Sequence, residues 1–244
     1  MLCPVPHVRA TGFPDRAHAS VNRLGIADTI AAERVIAVIR LSDAARLHEV
    51  VHALVDGGIR IIEITMTIPG ALSGIEQLAR SFPESVVVGA GSVIDTGTAI
   101  AAVAAGARFV VSPVCRPALI EECHRRDAVM MPGGLTPTEI LTAFEAGADF
   151  VKVFPAAAVG PSFVRDIKGP LPDLRLVPTG GIGIDDAGEW LRAGASAVGV
   201  GGALLDRNAI AANDFDALTA AARRLVGTVR NTVSHSADTA GIRK

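Results

Sequence analysis

Short apolar runs alternate with longer alanine-rich segments along most of the chain. The runs consist mainly of Val, Ile and Phe without regular polar alternation, which is typical of parallel strands buried on both faces. The segments between them begin or end at helix-capping residues, as Asp95 and Gly106 do around one of them. The pattern predicts eight strands, at residues 35–40, 59–65, 86–90, 109–112, 128–131, 149–155, 174–178 and 197–200.

A predicted helix follows each strand, and one more helix precedes the first strand, at residues 21–33. Ser42 is expected to cap the helix that ends before Gly57-Gly58, and Thr136 to Glu139 have the sequence of a capping box. Eight such units predict an α/β fold, a single-domain (β/α)8 TIM barrel, with a doubly wound open sheet as the alternative. The remaining helices are predicted at residues 70–81, 95–106, 117–126, 161–168, 185–193 and 214–230.

The two ends of the chain lack this alternation. Residues 1–20 hold several prolines among polar residues and are predicted to form a flexible N-terminal arm. Residues 231–244 are predicted to form a C-terminal tail. The barrel is therefore expected to occupy residues 21–230.

Composition and charge narrow the range of partners. Half of the 244 residues are hydrophobic, the formal net charge is −2, and no long basic block is present, so neither nucleic acid nor a membrane is an expected partner. We find no signal peptide and no apolar run long enough to span a bilayer, so a cytoplasmic location is expected. Cys3, Cys115 and Cys123 are odd in number and lack metal-ligand spacing, which favours reduced thiols over a zinc site.

One lysine stands in an unusual place. The chain has three lysines, and only Lys152 lies inside an apolar strand; Lys168 and Lys244 lie in a polar turn and at the C-terminus. Burial favours the neutral amine, which can attack a carbonyl and form a Schiff base. A structural lysine that reaches the strand end or pairs with a carboxylate is the alternative.

Glu63 is a second charged residue in an apolar strand, Ile-Ile-Glu-Ile. In a parallel barrel the carboxyl ends of the strands form the active-site face, so Glu63 and Lys152 should open onto the same mouth. A structural Glu63–Lys152 ion pair would explain both residues without any reaction. Other polar or turn residues expected at this mouth are Arg40, Thr65, Thr67, Ser92, Ser112, Pro113 and Thr179.

Glycine pairs follow the last two predicted strands. Gly180-Gly181 comes after the seventh strand, and Gly201-Gly202 comes after the eighth. Phosphate sites of such barrels are commonly built there from backbone N–H groups. The two pairs together predict an anion site.

Seven short motifs occur in order through the predicted barrel: Ile-Glu-Ile-Thr (62–65), Gly-Ala-Gly-Ser-Val (89–93), Val-Ser-Pro (111–113), Met-Pro-Gly (131–133), Lys-Val-Phe-Pro (152–155), Pro-Thr-Gly-Gly-Ile (178–182) and Gly-Val-Gly-Gly-Ala-Leu (199–204). The set resembles the 2-keto-3-deoxy-6-phosphogluconate (KDPG) and 4-hydroxy-2-oxoglutarate (KHG) aldolases. The resemblance extends over about residues 21–230.

The resemblance implies a class I aldolase that cleaves a 2-keto-4-hydroxy acid, KDPG or 4-hydroxy-2-oxoglutarate, to pyruvate and an aldehyde without a metal or other cofactor. It implies that Lys152 forms the Schiff base and that Glu63 is the general acid and base, acting through a water. It further implies a homotrimer. The substrate-contacting residues would be Ser92, Thr136 and Phe154, and the phosphate-binding residues Gly180, Gly181, Gly201 and Gly202.

The chain departs from the family pattern at two positions. Many members have an arginine for the pyruvate carboxylate where this chain has Thr67, whereas Arg40 ends the first strand as an arginine does in some members. We therefore expect Arg40 to bind the carboxylate, unless it pairs with Asp43. Many members also have a serine where this chain has Ala203, so phosphate binding should depend more on backbone N–H groups.

Two other functions are compatible with parts of this pattern. A phosphate-binding barrel lyase or isomerase of the tryptophan or thiamine pathways would share the Thr-Gly-Gly sequence but would not need Lys152. A non-enzymatic binding barrel would hold Glu63 and Lys152 as an inert pair.

Overall fold

The computed structural model describes residues 22–82 and 86–241, with side chains as far as Thr232, so the predicted N-terminal arm lies outside the described residues. The strands are β1 Val35–Ile39, β2 Ile61–Thr65, β3 Val87–Gly91, β4 Phe109–Val111, β5 Val129–Met131, β6 Gly133–Gly134, β7 Val151–Val153, β8 Leu176–Pro178 and β9 Val198–Val200. The helices are α1 Arg23–Glu33, α2 Leu47–Asp56, α3 Ala71–Ser81, α4 Thr96–Ala104, α5 Pro117–Arg125, α6 Pro137–Glu145, α7 Gly160–Lys168, α8 Ala187–Arg192, α9 Arg207–Ala212 and α10 Phe215–Gly241.

The strands are all parallel and close into a barrel. Six of them pair in the order β5-β4-β3-β2-β1-β9, and the other three pair as β6-β7-β8. Pro132 separates β5 from β6, and its carbonyl accepts the Lys152 N–H at 2.8 Å, which joins this interrupted strand to β7. A bridge between Thr179 and Gly199 joins β8 to β9. Counting β5 and β6 as one strand, the barrel has eight strands, and the prediction of a (β/α)8 barrel is confirmed.

Two apolar layers hold the barrel together. The outer layer lies between the strands and the surrounding helices. The inner layer fills the barrel with large side chains, among them Phe109 and Phe150. Ile26 and Ile30 of α1 pack against this inner layer, so α1 covers the amino-terminal end of the barrel.

A polar cluster fixes α1 at this end, which we call the base. The carboxylate of Asp149, whose side chain is 5% exposed, accepts a hydrogen bond from Arg23 of α1. Its Oδ2 accepts the Met130 N–H at 2.9 Å and lies 3.1 Å from Nε2 of His124. Every oxygen of this buried carboxylate therefore has a partner.

Three elements differ from the sequence prediction. Helix α2 begins at Leu47, not after Ser42, because Oδ1 of Asp43 binds the Ala45 N–H at 2.9 Å and holds residues 42–46 in a turn. Helix α9 has no counterpart among the predicted helices. Helix α10 continues to Gly241, so the tail predicted from residue 231 is helical over most of its length.

The predicted helix starts at Asp95 and at Thr136 are confirmed. Asp95 accepts the Thr98 N–H at 2.7 Å. Thr136 and Glu139 form the predicted capping box, in which each side chain binds the backbone N–H of the other.

Cys115 and Cys123 are free thiols, and burial raises the pKa of Cys123 to about 12; Cys3 lies outside the described residues. None of the helices in the described part of the chain is both long and apolar enough to cross a membrane.

Candidate active site

The carboxyl ends of the strands open into a cavity of about 1100 Å³. This end of the barrel, which we call the mouth, lies opposite α1. Nine of the predicted site residues line the cavity: Arg40, Glu63, Lys152, Phe154, Thr179, Gly180, Gly181, Gly201 and Gly202. They come from five strands or the loops that follow them, so the fold brings together residues that lie far apart in the sequence.

Lys152 is buried in β7, with 6% of its surface exposed, and its Nζ lies 5.0 Å from the ring centroid of Phe154. No carboxylate of the described residues lies within 4.0 Å of it. The Glu63–Lys152 ion pair that the sequence left open is therefore not formed. The amine faces the cavity without a covalent or ionic partner from the described chain.

Glu63, in β2, is 2% exposed, and its Oε1 accepts no hydrogen bond from the described residues. Burial raises the pKa of this carboxyl above its ordinary value of 4.5, although the positive charges of Lys152 and Arg40 act to lower it. A protonated Glu63 could give up a proton to a ligand in the cavity and later take it back.

Gly91 makes room for the Glu63 carboxyl. A Cβ at this position would lie 1.9 Å from Oε1 of Glu63, so any side chain would displace the carboxyl. Gly91 belongs to the motif at residues 89–93, and the sequence alone predicts no role for it. A glycine inside a strand is the available signal, since it often marks a close approach.

Arg40 follows β1 at the edge of the cavity. Its Nη2 lies 3.5 Å from Oγ of Ser92, a residue with a left-handed backbone (φ 61°) in the loop after β3. Asp43, the alternative partner, binds Ser42 and the Ala45 N–H, and it makes no ion pair with Arg40. The Arg40 guanidinium can therefore bind an anion in the cavity.

The positions of the first glycine pair tolerate no side chain. Gly180 and Gly181 have φ of +96° and +77°, which favour glycine, and a Cβ on Gly181 would lie 2.5 Å from Cβ of Ala157. In the second pair, a Cβ on Gly201 would lie 3.0 Å from the Val38 carbonyl oxygen, whereas Gly202 faces open space. Both turns expose backbone to the cavity.

Four predicted site residues do not form part of the cavity wall. Thr67 is exposed, and its Oγ1 lies 3.0 Å from Oγ1 of Thr65. Thr136 is occupied by its capping box, and the Pro113 carbonyl packs against Gly133. Ser92 reaches the site through Arg40. The wall also contains Arg46 and Arg207, which the sequence did not single out.

Comparison with known proteins agrees with this geometry. Residues 26–221 match the model of the KDPG and KHG aldolase family. The chain belongs to this family. It is 34% identical over 166 residues to the 2-dehydro-3-deoxy-phosphogluconate aldolase of Pseudomonas aeruginosa, which covers 67% of this chain and 75% of that protein. It is 33% identical over 194 residues to the KHG/KDPG aldolase of Escherichia coli K12, covering 79% and 89%.

Among solved structures, this aldolase superimposes on the KDPG aldolase of Legionella pneumophila with a TM-score of 0.76 and 31% identity, covering 82% of this chain and 97% of that one. That structure holds pyruvate captured at low pH as a covalent carbinolamine intermediate. The likeness confirms both the barrel fold and the aldolase function that the sequence predicted. This aldolase is thus a carbon–carbon lyase.

Proposed function

We propose that Lys152 forms a Schiff base with the ketone of a 2-keto-4-hydroxy acid and that the acid is cleaved there to pyruvate and an aldehyde. The observation that carries this proposal is the buried Lys152, which has no ionic partner and faces the same cavity as Glu63. The carbinolamine in the Legionella pneumophila relative supports the same chemistry.

Arg40 would bind the substrate carboxylate next to the reacting ketone. A guanidinium matches a carboxylate with two parallel charge-assisted hydrogen bonds, and Ser92 would orient it from behind. The Lys152 amine then attacks C2, and one of its protons passes to the ketone oxygen to give the carbinolamine. Glu63 donates its proton to the carbinolamine hydroxyl, water leaves, and an iminium ion forms.

Carbon–carbon cleavage would use Glu63 in the opposite direction. Ionised Glu63, directly or through one water, takes the proton of the C4 hydroxyl. The C3–C4 bond breaks, its electron pair moves into the iminium to give an enamine, and the aldehyde leaves. Glu63 returns the proton to C3. Hydrolysis of the new iminium releases pyruvate, restores Lys152 and yields a proton, which Glu63 takes up to regain its acid form.

The far end of the substrate would extend along Phe154 towards the two glycine turns, where backbone N–H groups of Gly180, Gly181, Gly201 and Gly202 are available to an anion. Thr179, which directly precedes the first turn, lines the same cavity. Thr67, Pro113 and Thr136 lie off the cavity wall and have no place in this mechanism.

Reductive trapping tests the proposal. Borohydride in the presence of pyruvate should attach one pyruvyl group to the protein, and peptide mapping should find it on Lys152. Lys152→Met should abolish both labelling and cleavage, because no other amine of the described residues faces the cavity. Labelling at Lys168, whose Nζ already donates to the Leu174 carbonyl at 2.9 Å, would refute the mechanism.

Three further properties belong to this proposal. The reaction would need no metal, because the Lys152 Schiff base itself accepts the electron pair of the C3–C4 bond. Cleavage should therefore survive dialysis against EDTA. Assembly as a homotrimer in the cytoplasm would follow the family resemblance, and light scattering of the purified protein would give its mass in solution.

A further inference from the structure

Arg40, which would bind the substrate carboxylate, has little support at its guanidinium. It lies one residue beyond β1 and is exposed. Its contact with Oγ of Ser92, at 3.5 Å, is longer than an ordinary hydrogen bond. A long arginine side chain also loses rotamer freedom when it binds an anion. The placement of the Arg40 backbone therefore matters for how well the guanidinium is aimed.

Thr65 fixes the backbone immediately before Arg40. It is the last residue of β2 and is fully buried, and its Oγ1 donates a hydrogen bond to the Ile39 carbonyl at 2.9 Å. That carbonyl belongs to the planar peptide unit that joins Ile39 to Arg40. A bond that holds the carbonyl oxygen therefore also holds the direction in which the main chain enters Arg40.

Thr67 extends this contact into a series of two hydrogen bonds. Its Oγ1 lies 3.0 Å from Oγ1 of Thr65. A threonine hydroxyl has one proton, and Thr65 gives its proton to Ile39, so Thr67 is the donor in this contact. Successive hydrogen bonds of this kind strengthen one another. Thr67 takes no part in the chemical steps, yet its hydroxyl supports the bond that orients the peptide unit before Arg40.

We propose that Thr65 and Thr67 are positioning residues that hold Arg40 where it binds the substrate carboxylate. This inference rests on the proposed function, in which Arg40 has that role, and it adds two residues that lie off the cavity wall. The paired hydrogen bonds between a guanidinium and a carboxylate are directional, so a small displacement of Arg40 weakens both. Ser92 acts at the guanidinium and Thr65 at the backbone, so the arginine is held from both ends.

Thr65→Val tests the first hydrogen bond, because it keeps the branched shape of the side chain and removes the hydroxyl. KM should rise roughly 3- to 10-fold for both KDPG and 4-hydroxy-2-oxoglutarate, since each presents the same 2-keto acid. The kcat should stay within about twofold, because a group that binds substrate and transition state alike is affected. Thr65→Ser restores the hydroxyl and should recover most of the loss.

Thr67→Val tests the second hydrogen bond. It leaves the bond between Thr65 and Ile39 in place and removes only its support, so KM should rise by about two- to threefold. Thr67→Ser should restore the wild-type value. An unchanged KM in Thr67→Val would refute the role of Thr67.

Thr219→Val is the matched control. Oγ1 of Thr219, in α10, also donates to a backbone carbonyl of another element, that of Ala53 in α2, at 2.9 Å. This contact lies away from the cavity wall. Thr219→Val should therefore lower the unfolding temperature about as much as Thr65→Val does, and it should leave KM unchanged. A rise of KM in the control as large as that in Thr65→Val would show a general loss of stability and would overturn the inference.

A double-mutant cycle shows whether Thr65 acts through Arg40. Arg40→Ala alone should raise KM strongly, and adding Thr65→Val to it should change KM by less than about twofold, because the group being positioned is already absent. An equal effect of Thr65→Val with and without Arg40 would refute the inference. A fall of kcat at unchanged KM would also refute it, since the hydroxyl would then act on Glu63, two residues earlier in β2.

Binding of pyruvate to the Lys152→Met protein, measured by NMR titration, separates this inference from the proposed function, because it needs neither a Schiff base nor cleavage. If the wild-type protein cleaves neither substrate, the proposed function fails. A pyruvate affinity that is roughly 3- to 10-fold weaker after adding Thr65→Val, but not after adding Thr219→Val, would still support the positioning role. An equal affinity with and without the Thr65 hydroxyl would refute it.

Discussion

The two ends of the barrel each bury a carboxyl group, and they treat it in opposite ways. At the base, Asp149 receives hydrogen bonds from Arg23 and from the Met130 N–H and lies beside His124. At the mouth, Glu63 is more deeply buried, yet its Oε1 has no partner among the described residues. Burial raises the pKa of Glu63; Lys152 and Arg40 act in the opposite direction, but neither forms an ion pair with the carboxyl.

The difference distinguishes the end of the barrel that contributes to stability from the end that contributes to catalysis. A satisfied buried carboxylate positions the elements around it, here α1, α5 and β5, and breaking its contacts exposes the full desolvation cost. An unsatisfied buried carboxyl lowers stability and remains useful only if a ligand needs the proton. Removing the Asp149 carboxylate, at the base of the barrel, should therefore lower the stability of the protein. Removing the Glu63 carboxyl, at the mouth, should lower the rate of catalysis.

The largest expected effect concerns the rate. Glu63→Gln retains the shape of the side chain and removes the acid and base, so kcat should fall by roughly 10²- to 10⁴-fold. The unfolding temperature should not fall, because the variant removes an ionisable group that has no partner. Steady-state kinetics and a circular dichroism melt of the same preparation measure the two quantities.

The matched control at the mouth is Glu139→Gln, which changes an exposed carboxylate of the capping box and lies off the cavity wall. It should leave kcat unchanged. If Glu63→Gln instead destabilises the protein while its folded fraction retains full activity, Glu63 would be a structural residue like Asp149.

The second prediction concerns Asp149, at the base of the barrel. Asp149→Ala removes the contacts of this carboxylate with Arg23, His124 and the Met130 N–H, and should lower the free energy of unfolding by about 3 kcal/mol. We use the lower end of the range for buried pairs because Arg23 and His124 are 26% and 25% exposed and can regain water. Denaturant titration gives the value.

Activity of the folded Asp149→Ala protein should stay within about twofold of wild type, because the base lies opposite the mouth. Asp166→Ala, at an exposed position on α7, provides the control for removing a carboxylate. A large loss of kcat in Asp149→Ala without a loss of stability would show that the two ends are not separate.

The sequence predicted the barrel and the two central site residues for physical reasons. Strands buried on both faces give continuous apolar runs, so a charge within one of them, as at Glu63 or Lys152, is conspicuous. Caps such as Asp95 and Thr136 act within a few residues and can be recognised locally. The order of strands around a closed barrel then decides which ends meet.

What the sequence did not provide depends on contacts between distant segments. The start of α2 follows from a turn at Asp43 that competes with helix formation, and α9 is too short to show periodicity. As a result, Arg46 and Arg207 resembled ordinary surface residues. Asp149 meets Arg23 across more than a hundred residues of chain, and no local pattern announces such a pair.

The smallest predicted effect is the pH dependence of stability caused by Glu63. Because its pKa is raised in the folded protein, the native state binds more protons than the unfolded state at pH values above 4.5. The contribution of Glu63 to stability is therefore greatest at low pH and is lost as the pH rises towards the raised pKa. Each unit of the pKa shift corresponds to about 1.4 kcal/mol.

The comparison with Glu63→Gln isolates this contribution. Asp95 and Glu139 have pKa values lowered by their helix-capping hydrogen bonds, so they act in the opposite direction, and they titrate equally in both proteins. The free energy of unfolding of wild type minus that of Glu63→Gln should fall steadily from pH 4.5 upward and then level off. Urea titrations at several pH values measure the difference. A constant difference, or one that grows with pH, would mean that the mouth carboxyl is as well satisfied as Asp149, and the contrast between the two ends would disappear.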